Sequence, residues 1–218
     1  MCPKGLRSKM KICYIIGAGN LPLLYIKEGG FVIAADGGLD KLGTIKPDLV
    51  VGDFDSAISQ IPDNAIILPV EKDVTDMCFA VGEGEKRGYD TFLIFGGTGG
   101  RPDHTFANIS LLVSLVGRGK QGYLIGDGYI TTAIKNTRMY IEGKEGNTLS
   151  VFAAGDKACG VTLQQVKYPL KNHILHFSNA LGVSNSFTSG VANISVTDGT
   201  LIVMWQEDNI ADFVDKLK

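Results

Sequence analysis

The stretch Leu49-Val50-Val51-Gly52-Asp53-Phe54-Asp55-Ser56 decides how the chain is read. An apolar run stopped by a glycine marks a buried strand reaching the rim of a sheet. Side chains two apart on extended backbone point the same way, roughly 6.5 Å apart at ~3.3 Å per residue. Asp53 and Asp55 are therefore expected to aim two carboxylates at one point, with Phe54 turned back toward the core. Two carboxylates so close repel unless a cation sits between them. The hard-oxygen cation that keeps waters and also takes substrate phosphates is Mg2+. An isolated Asp-x-Asp is otherwise an Asx turn with two solvated acids, so the surrounding chain has to decide.

On both sides of this stretch, apolar runs end in glycine or acid. Lys11 to Ile16 runs into Gly17-Ala18-Gly19-Asn20, Phe31 to Ala35 into Asp36-Gly37-Gly38, and Thr91 to Phe95 into Gly96-Gly97-Thr98-Gly99-Gly100-Arg101. Ala65 to Leu68 and Gln121 to Ile125 read as further strands, the last ending in Gly126-Asp127-Gly128. Helical stretches fit between several of them, notably Thr75 to Arg87 and Pro102 to Val116. Strands apolar throughout that alternate with helices imply a mostly parallel sheet covered on both faces, and such sheets bind ligands beyond the carboxyl ends of their strands. Asp36, Asp53, Asp55 and Arg101 all fall at such ends.

After about residue 130 the texture changes. Short β-rich pieces follow at Arg138 to Ile141, Thr148 to Ala153, Val161 to Leu163, Val191 to Val196 and Leu201 to Trp205, with turn residues between them. They read as an antiparallel sandwich or barrel. The tail from Asp208 to Lys218 places Ile210, Phe213, Val214 and Leu217 at helical spacing, a short amphipathic helix that packs onto the body. The expected boundaries are thus 1–130 for an α/β catalytic domain and 131–218 for a β-sandwich domain.

Composition narrows the function. The chain has 218 residues, 44% hydrophobic and 20% charged, with a net charge of -2, so it carries no electrostatic footprint for nucleic acid or an anionic membrane surface. No apolar stretch approaches the ~18 residues of a membrane span. The run from Ile12 to Ile16 is too short for a signal peptide. Cys2, Cys13, Cys78 and Cys159 lack metal-ligand spacing and read as reduced thiols of a cytoplasmic protein.

Two further constellations carry chemistry. Lys72-Asp73-Val74-Thr75-Asp76 opens the first long helix, where Asp73 suits the N-cap and Asp76 the positive first turn. The same helix start is also placed to present acid to a phosphate-bound metal. Gly96 to Gly100, followed by Arg101-Pro102-Asp103-His104, lets backbone N–H groups approach a phosphate at a helix N-terminus. Arg101 adds a planar fork for phosphate oxygens, and His104 and Asn108 share a helix face. A Walker A sequence is absent.

These residues resemble the ordered motifs of thiamine pyrophosphokinases. The likeness lies in Asp36-Gly37-Gly38, Pro47 to Ser56, Lys72 to Asp76 and Gly96 to Asn108, and in the C-terminal half in Val166-Lys167-Tyr168-Pro169-Leu170 and Leu181 to Asn185. It spans about Ile12 to Trp205. One departure is visible: the family usually has Gly-Leu where Gln165-Val166 stands, which bears on the shape of the thiamine-side loop. The resemblance implies a Rossmann-like α/β domain, a C-terminal antiparallel β-sandwich, and a homodimer with active sites between subunits. It implies transfer of the diphosphate of ATP to the hydroxyl of thiamine, releasing AMP, with Mg2+. On this sequence it makes Asp53, Asp55 and Asp76 the metal ligands, with Asp73 beside them near the reacting phosphates. Asp36, Gly99, Gly100, Arg101, Asp103 and His104 fall on the nucleotide side, and Lys72, Tyr168, Ser184 and Asn185 on the thiamine side. A related pyrophosphokinase acting on another primary alcohol, such as a hydroxymethylpterin, and a non-catalytic nucleotide-sensing module stay open as alternatives at this point.

Overall fold

The apolar runs all form strands. The computed structural model describes residues 10–217 apart from Pro22, 55–59, Asn64 and Lys72, so Asp55 and Lys72 lie outside the described residues. Strands β1 (Ile12–Ile16), β2 (Phe31–Ala35), β3 (Leu49–Gly52) and β4 (Ile66–Ile67) come first in the chain. Helix α1 (Asp76–Lys86), β5 (Thr91–Phe95), α2 (Pro102–Gly117) and β6 (Gln121–Gly126) follow. These six strands pair in parallel, in the order β6-β5-β1-β2-β3-β4.

The parallel run continues without a break into an antiparallel wing. β7 (Tyr129–Lys135) folds back on β6. β14 (Thr200–Gln206), β9 (Thr148–Ala153) and β12 (Asn185–Ser186) then complete a ten-stranded sheet. The fold-back is a two-residue hairpin at Asp127-Gly128, where φ is 53° and 78°. Two consecutive left-handed residues make a type I′ turn, whose twist matches that of the flanking strands. A separate four-stranded antiparallel sheet, ordered β11 (Leu170–His176), β10 (Lys157–Gln164), β13 (Val191–Ser195) and β8 (Arg138–Glu142), lies against the wing. The two sheets share one apolar core: Val161, Leu163, Ala192 and Ile194 meet Leu149, Val151, Leu201 and Val203. The protein is therefore a mixed α/β fold with a large, mostly parallel sheet and a separate antiparallel sheet.

The sheet's two faces are covered unequally. Alternate residues Cys13, Ile15, Ile33, Val51, Ile94 and Leu124 pack under α1 and α2. The opposite face, with Tyr14, Ile16, Val50, Phe95 and Ile125, takes Leu21, Leu24, Tyr25 and Ile26 and the C-terminal helix α3 (Ile210–Lys216). Phe213 of α3 meets both Tyr123 and Trp205 edge-to-face, at centroid distances of 5.2 and 5.8 Å. Burying a side chain such as Val51 or Ile15 on both-sided strands of this kind contributes about 1.5–3 kcal/mol each, and this holds the strand ends in place.

Each helix starts where its sequence allows. Thr75, not Asp73, caps α1: its hydroxyl accepts from the backbone N–H of Cys78 at 3.2 Å. Asp73 is exposed and two residues too early to be the cap, while Asp76 takes the first helical position as expected. Pro102 opens α2, with Asp103 in its first turn. Leu111, Leu112 and Leu115 then recur at helical spacing on its buried face. Among the described residues no helix is long and apolar enough to cross a membrane.

Candidate active site

The site forms where the strand order reverses. β1 lies between β2 and β5, and a crevice opens beyond the carboxyl ends of these strands. The loops leaving β1 and β5 are laced together by main-chain bonds. Gly17 N donates to Phe95 O at 2.8 Å, Gly19 N to Gly96 O at 2.8 Å, and Asn20 N to Thr98 O at 3.3 Å. Gly96 has φ 65°, and a Cβ there would sit 2.3 Å from the carbonyl oxygen of Gly17. Only glycine permits this approach, and the same absence of side chains leaves N–H groups open to a ligand. Gly17-Ala18-Gly19, a Gly-x-Gly without the third glycine of a dinucleotide fingerprint, thus belongs to the site, because its partner glycines lie in the loop after the adjacent strand.

The acids come from neighbouring strand ends. Asp36 follows β2 with φ 48°, and Gly52 lies so close that a Cβ would be 2.9 Å from the Asp36 Cα. Asp53 follows immediately, half-buried. Phe54 is 8% exposed and points into the core as expected, but its φ is 56°. The backbone between Asp53 and Asp55 is therefore left-handed rather than extended. The argument that spacing alone aims the two carboxylates the same way does not apply here: the strand stops at Gly52 and the chain turns. Asp76 reaches the same crevice from α1.

Together these elements line a cavity of about 350 Å³ that contains Asp36, Asp76, Gly99, Gly100, Arg101 and His104. Thr98 and the helix-start residues Thr75 and Met77, which the sequence reading had not singled out, line it too. Asn108 is buried, and its Nδ2 donates to the carbonyl of Gly97 at 2.8 Å, tying the glycine loop to the second turn of α2. Arg101 is exposed, and its fork meets Asp103: Nε donates to Oδ1 at 3.2 Å and Nη2 to Oδ2 at 2.6 Å. That hydrogen bonding holds the Asp103 carboxyl down at about 2 and raises the guanidinium further above its usual range.

The residues assigned to the thiamine side lie elsewhere. Asn185 is in β12, the first strand of the ten, while Asp53 follows β3, the ninth. Eight strand spacings of about 4.8 Å separate them, roughly 38 Å along the sheet. Tyr168 and Ser184 accompany Asn185: Tyr168 N donates to Asn185 Oδ1 at 2.9 Å, and Ser184, at φ 57°, donates its N–H to Ser150 Oγ at 3.1 Å. The nucleotide-side residues are thus brought together within one chain, and the thiamine-side residues form a second group on the far edge.

The site is a strand-end crevice of backbone N–H groups, carboxylates and one arginine in a mixed α/β fold. Comparison with known proteins is specific. The family model described as the thiamin pyrophosphokinase catalytic domain matches residues 23–124, and that described as the thiamin pyrophosphokinase vitamin B1 binding domain matches 136–201. Thiamine pyrophosphokinase of Bacillus subtilis is 30% identical over 214 residues, covering 91% of this chain and all of the relative. Its crystal structure superposes with a TM-score of 0.83 at 28% identity, over 91% of this chain and 100% of that one. Thiamin pyrophosphokinase from Geobacillus thermodenitrificans gives 0.78 at 25% identity, over 92% and 99%. The yeast enzyme, 15% identical, shares the fold at 0.72 over 95% and 90%. The chain belongs to the thiamin pyrophosphokinase family and is an enzyme of that kind.

Proposed function

We propose that this enzyme transfers the terminal diphosphate of ATP to the primary hydroxyl of thiamine, giving thiamine diphosphate and AMP, with Mg2+ as the working cation. The observation that carries the reading is the convergence of the glycine loop, Asp36, Asp76 and Arg101 on one strand-end cavity. The donors are carboxylate oxygens, which suit a hard cation; among the described residues no three acidic, histidine or cysteine side chains come together to hold a metal ion by themselves, so substrate phosphates and water would have to complete the coordination. Mg2+ prefers such open sites, with one or two carboxylates, waters and the substrate's own phosphates. Asp53 and Asp76, with Asp55, would hold it. When bound it supplies neutralisation of the charge that builds on the phosphate oxygens.

The chain's residues do the positioning. Backbone N–H groups of Gly97 to Gly100 and the N-terminus of α2 hold phosphate oxygens, with Arg101 turning its fork from Asp103 toward them. Asp36 and His104 face the rest of the nucleotide. The thiamine hydroxyl oxygen attacks the β-phosphorus, and the bond from that phosphorus to the α–β bridging oxygen breaks. AMP leaves with the bridging oxygen, and the hydroxyl proton passes to a carboxylate of the acid group and on to water. Alignment and charge neutralisation carry most of such a reaction.

The separation of the two residue groups supports a homodimer in which Tyr168, Ser184 and Asn185 of one chain complete the crevice of another. Roughly 38 Å of sheet is far beyond the length of a thiamine molecule. AMP release that requires thiamine, ATP and Mg2+ together is the expected result. Nucleotide binding without AMP, or turnover with a hydroxymethylpterin and none with thiamine, overturns the reading. The shared site has its own test. Asp53→Asn protein mixed with Ser184→Trp protein regains activity on subunit exchange; no recovery despite demonstrated exchange means each chain builds its own site.

A further inference from the structure

Asn185 is one of two asparagines buried among the described residues, 3% exposed, and its amide is nearly used up. Oδ1 accepts from Tyr168 N at 2.9 Å and from Ser186 N at 3.0 Å, which saturates both lone pairs. Nδ2 donates to Tyr168 O at 2.8 Å. The side chain thus imitates one rung of an antiparallel ladder, exchanging a donor and an acceptor with a single residue's main chain. It extends a short true pairing, since Lys167 N donates to Ser186 O at 2.9 Å and Val166 bridges Phe187. On its other side β12 is paired with β9, through Asn185 with Leu149 and Ser186 with Thr148. The 166–168 segment is in this way stitched onto the large sheet by a side chain.

The geometry points to Asn185 as a positioning residue that fixes Tyr168, rather than as a ligand of the organic substrate. Its oxygen has no lone pair left for a substrate amino group, and burial keeps a ligand from reaching it. Tyr168 is the opposite: its main chain is clamped, yet the residue is 58% exposed. A large aromatic side chain held out from a rigid backbone is what a flat heteroaromatic substrate stacks against. The Lys167 ammonium lies over the ring at 5.4 Å, which leaves the other face for the substrate. The assignment rests on the proposed thiamine reaction, in which Tyr168 already stands on the thiamine side, and gives Asn185 the task of holding that ring in place.

The test is a double-mutant cycle on Michaelis constants, using full-length enzyme whose wild type turns over thiamine. Tyr168→Ala is expected to raise the thiamine KM at least about tenfold, because misplacing or removing a wall of this kind costs up to ~100-fold, and to leave the ATP KM unchanged. Tyr168→Phe keeps the ring and restores the wild-type value. Asn185→Ala raises the thiamine KM by a similar factor, and the double variant is no worse than either single one. Effects that multiply instead would show Asn185 touching thiamine itself and overturn the inference. So would an unchanged thiamine KM in Tyr168→Ala, a variant on the surface that folds whether or not Asn185→Ala does. If the wild type itself fails to use thiamine, the proposed function is at fault and not the role of Asn185.

Discussion

Gln165 occupies the left-handed region, with φ 60°, at the position where the family usually carries glycine. Its side chain is exposed and its carbonyl accepts from Thr188 N at 3.2 Å. Holding an L-residue in that conformation costs roughly 1–2 kcal/mol through the clash of Cβ with the following carbonyl. Replacing it by glycine removes the clash but adds unfolded-state entropy of roughly 0.5–1 kcal/mol. The net expectation for Gln165→Gly is stabilisation by about 0.5–1 kcal/mol. For 218 residues the unfolding entropy is about 0.46 kcal/mol/K, so Tm rises by about 1–2 °C. Gln165→Ala keeps the clash and should shift Tm by less than that. Calorimetry without ligands resolves both. A glycine variant that melts below the wild type, or an alanine variant that matches the glycine one, would refute the idea that this turn stores strain.

Three other outcomes follow from the site and the core. Asp53→Asn should lower kcat by orders of magnitude while the ligand-free Tm barely moves, because taking a charge out of an acid cluster costs the empty fold little; wild-type turnover at limiting Mg2+ would remove Asp53 from the cation site. Arg101→Lys keeps the charge but loses the fork, and should weaken ATP by roughly 1–3 kcal/mol as read from KM and calorimetry. Unchanged ATP affinity refutes the phosphate role. Cys13 is fully buried, and burial pushes its thiol up to about 12, so in native protein at pH 8 it should resist alkylation while the half-buried Cys78 and Cys159 react, as mass spectrometry of peptides can show.

Much of the parallel half was legible because its strands are covered on both faces, and continuous apolar runs such as Phe31–Ala35 and Thr91–Phe95 have one reading. The glycines that end them are needed by backbone crowding, which is why the crevice could be located before its shape was known. The antiparallel half was less legible. β7 (Tyr129–Lys135) was missed although Asp127-Gly128 is a strong hairpin signal; its two threonines, Thr131 and Thr132, are buried, and Thr132 Oγ1 donates to the carbonyl of Gly122 at 2.6 Å. A polar residue satisfied inside the sheet looks like a surface residue in the sequence. β11 (Leu170–His176) escaped for the opposite reason: it is an edge strand with mostly exposed side chains, so no alternation marks it. The acid pair was found by a spacing rule that fails at Phe54, since a left-handed residue after the strand end leaves no pattern of hydrophobicity. The division of labour at Asn185 was invisible, because a buried amide and a substrate ligand are the same letter.

The Asp127-Gly128 hairpin also constrains how such a chain can be cut, swapped or inherited. The regions matched by the two family descriptions, 23–124 and 136–201, meet across it. No tether separates them: β6 is bonded to β7 on one side of the turn, and β7 to β14 along seven paired residues. Severing the chain there bares a fresh strand edge on each fragment, a row of unpaired N–H and C=O groups that invites aggregation. The catalytic half cannot be lifted out as a free-standing module or spliced onto a foreign partner without supplying a replacement for β7. Any gene-level exchange between relatives therefore has its safe crossover points in loops at the rim, never at the midline of the sheet.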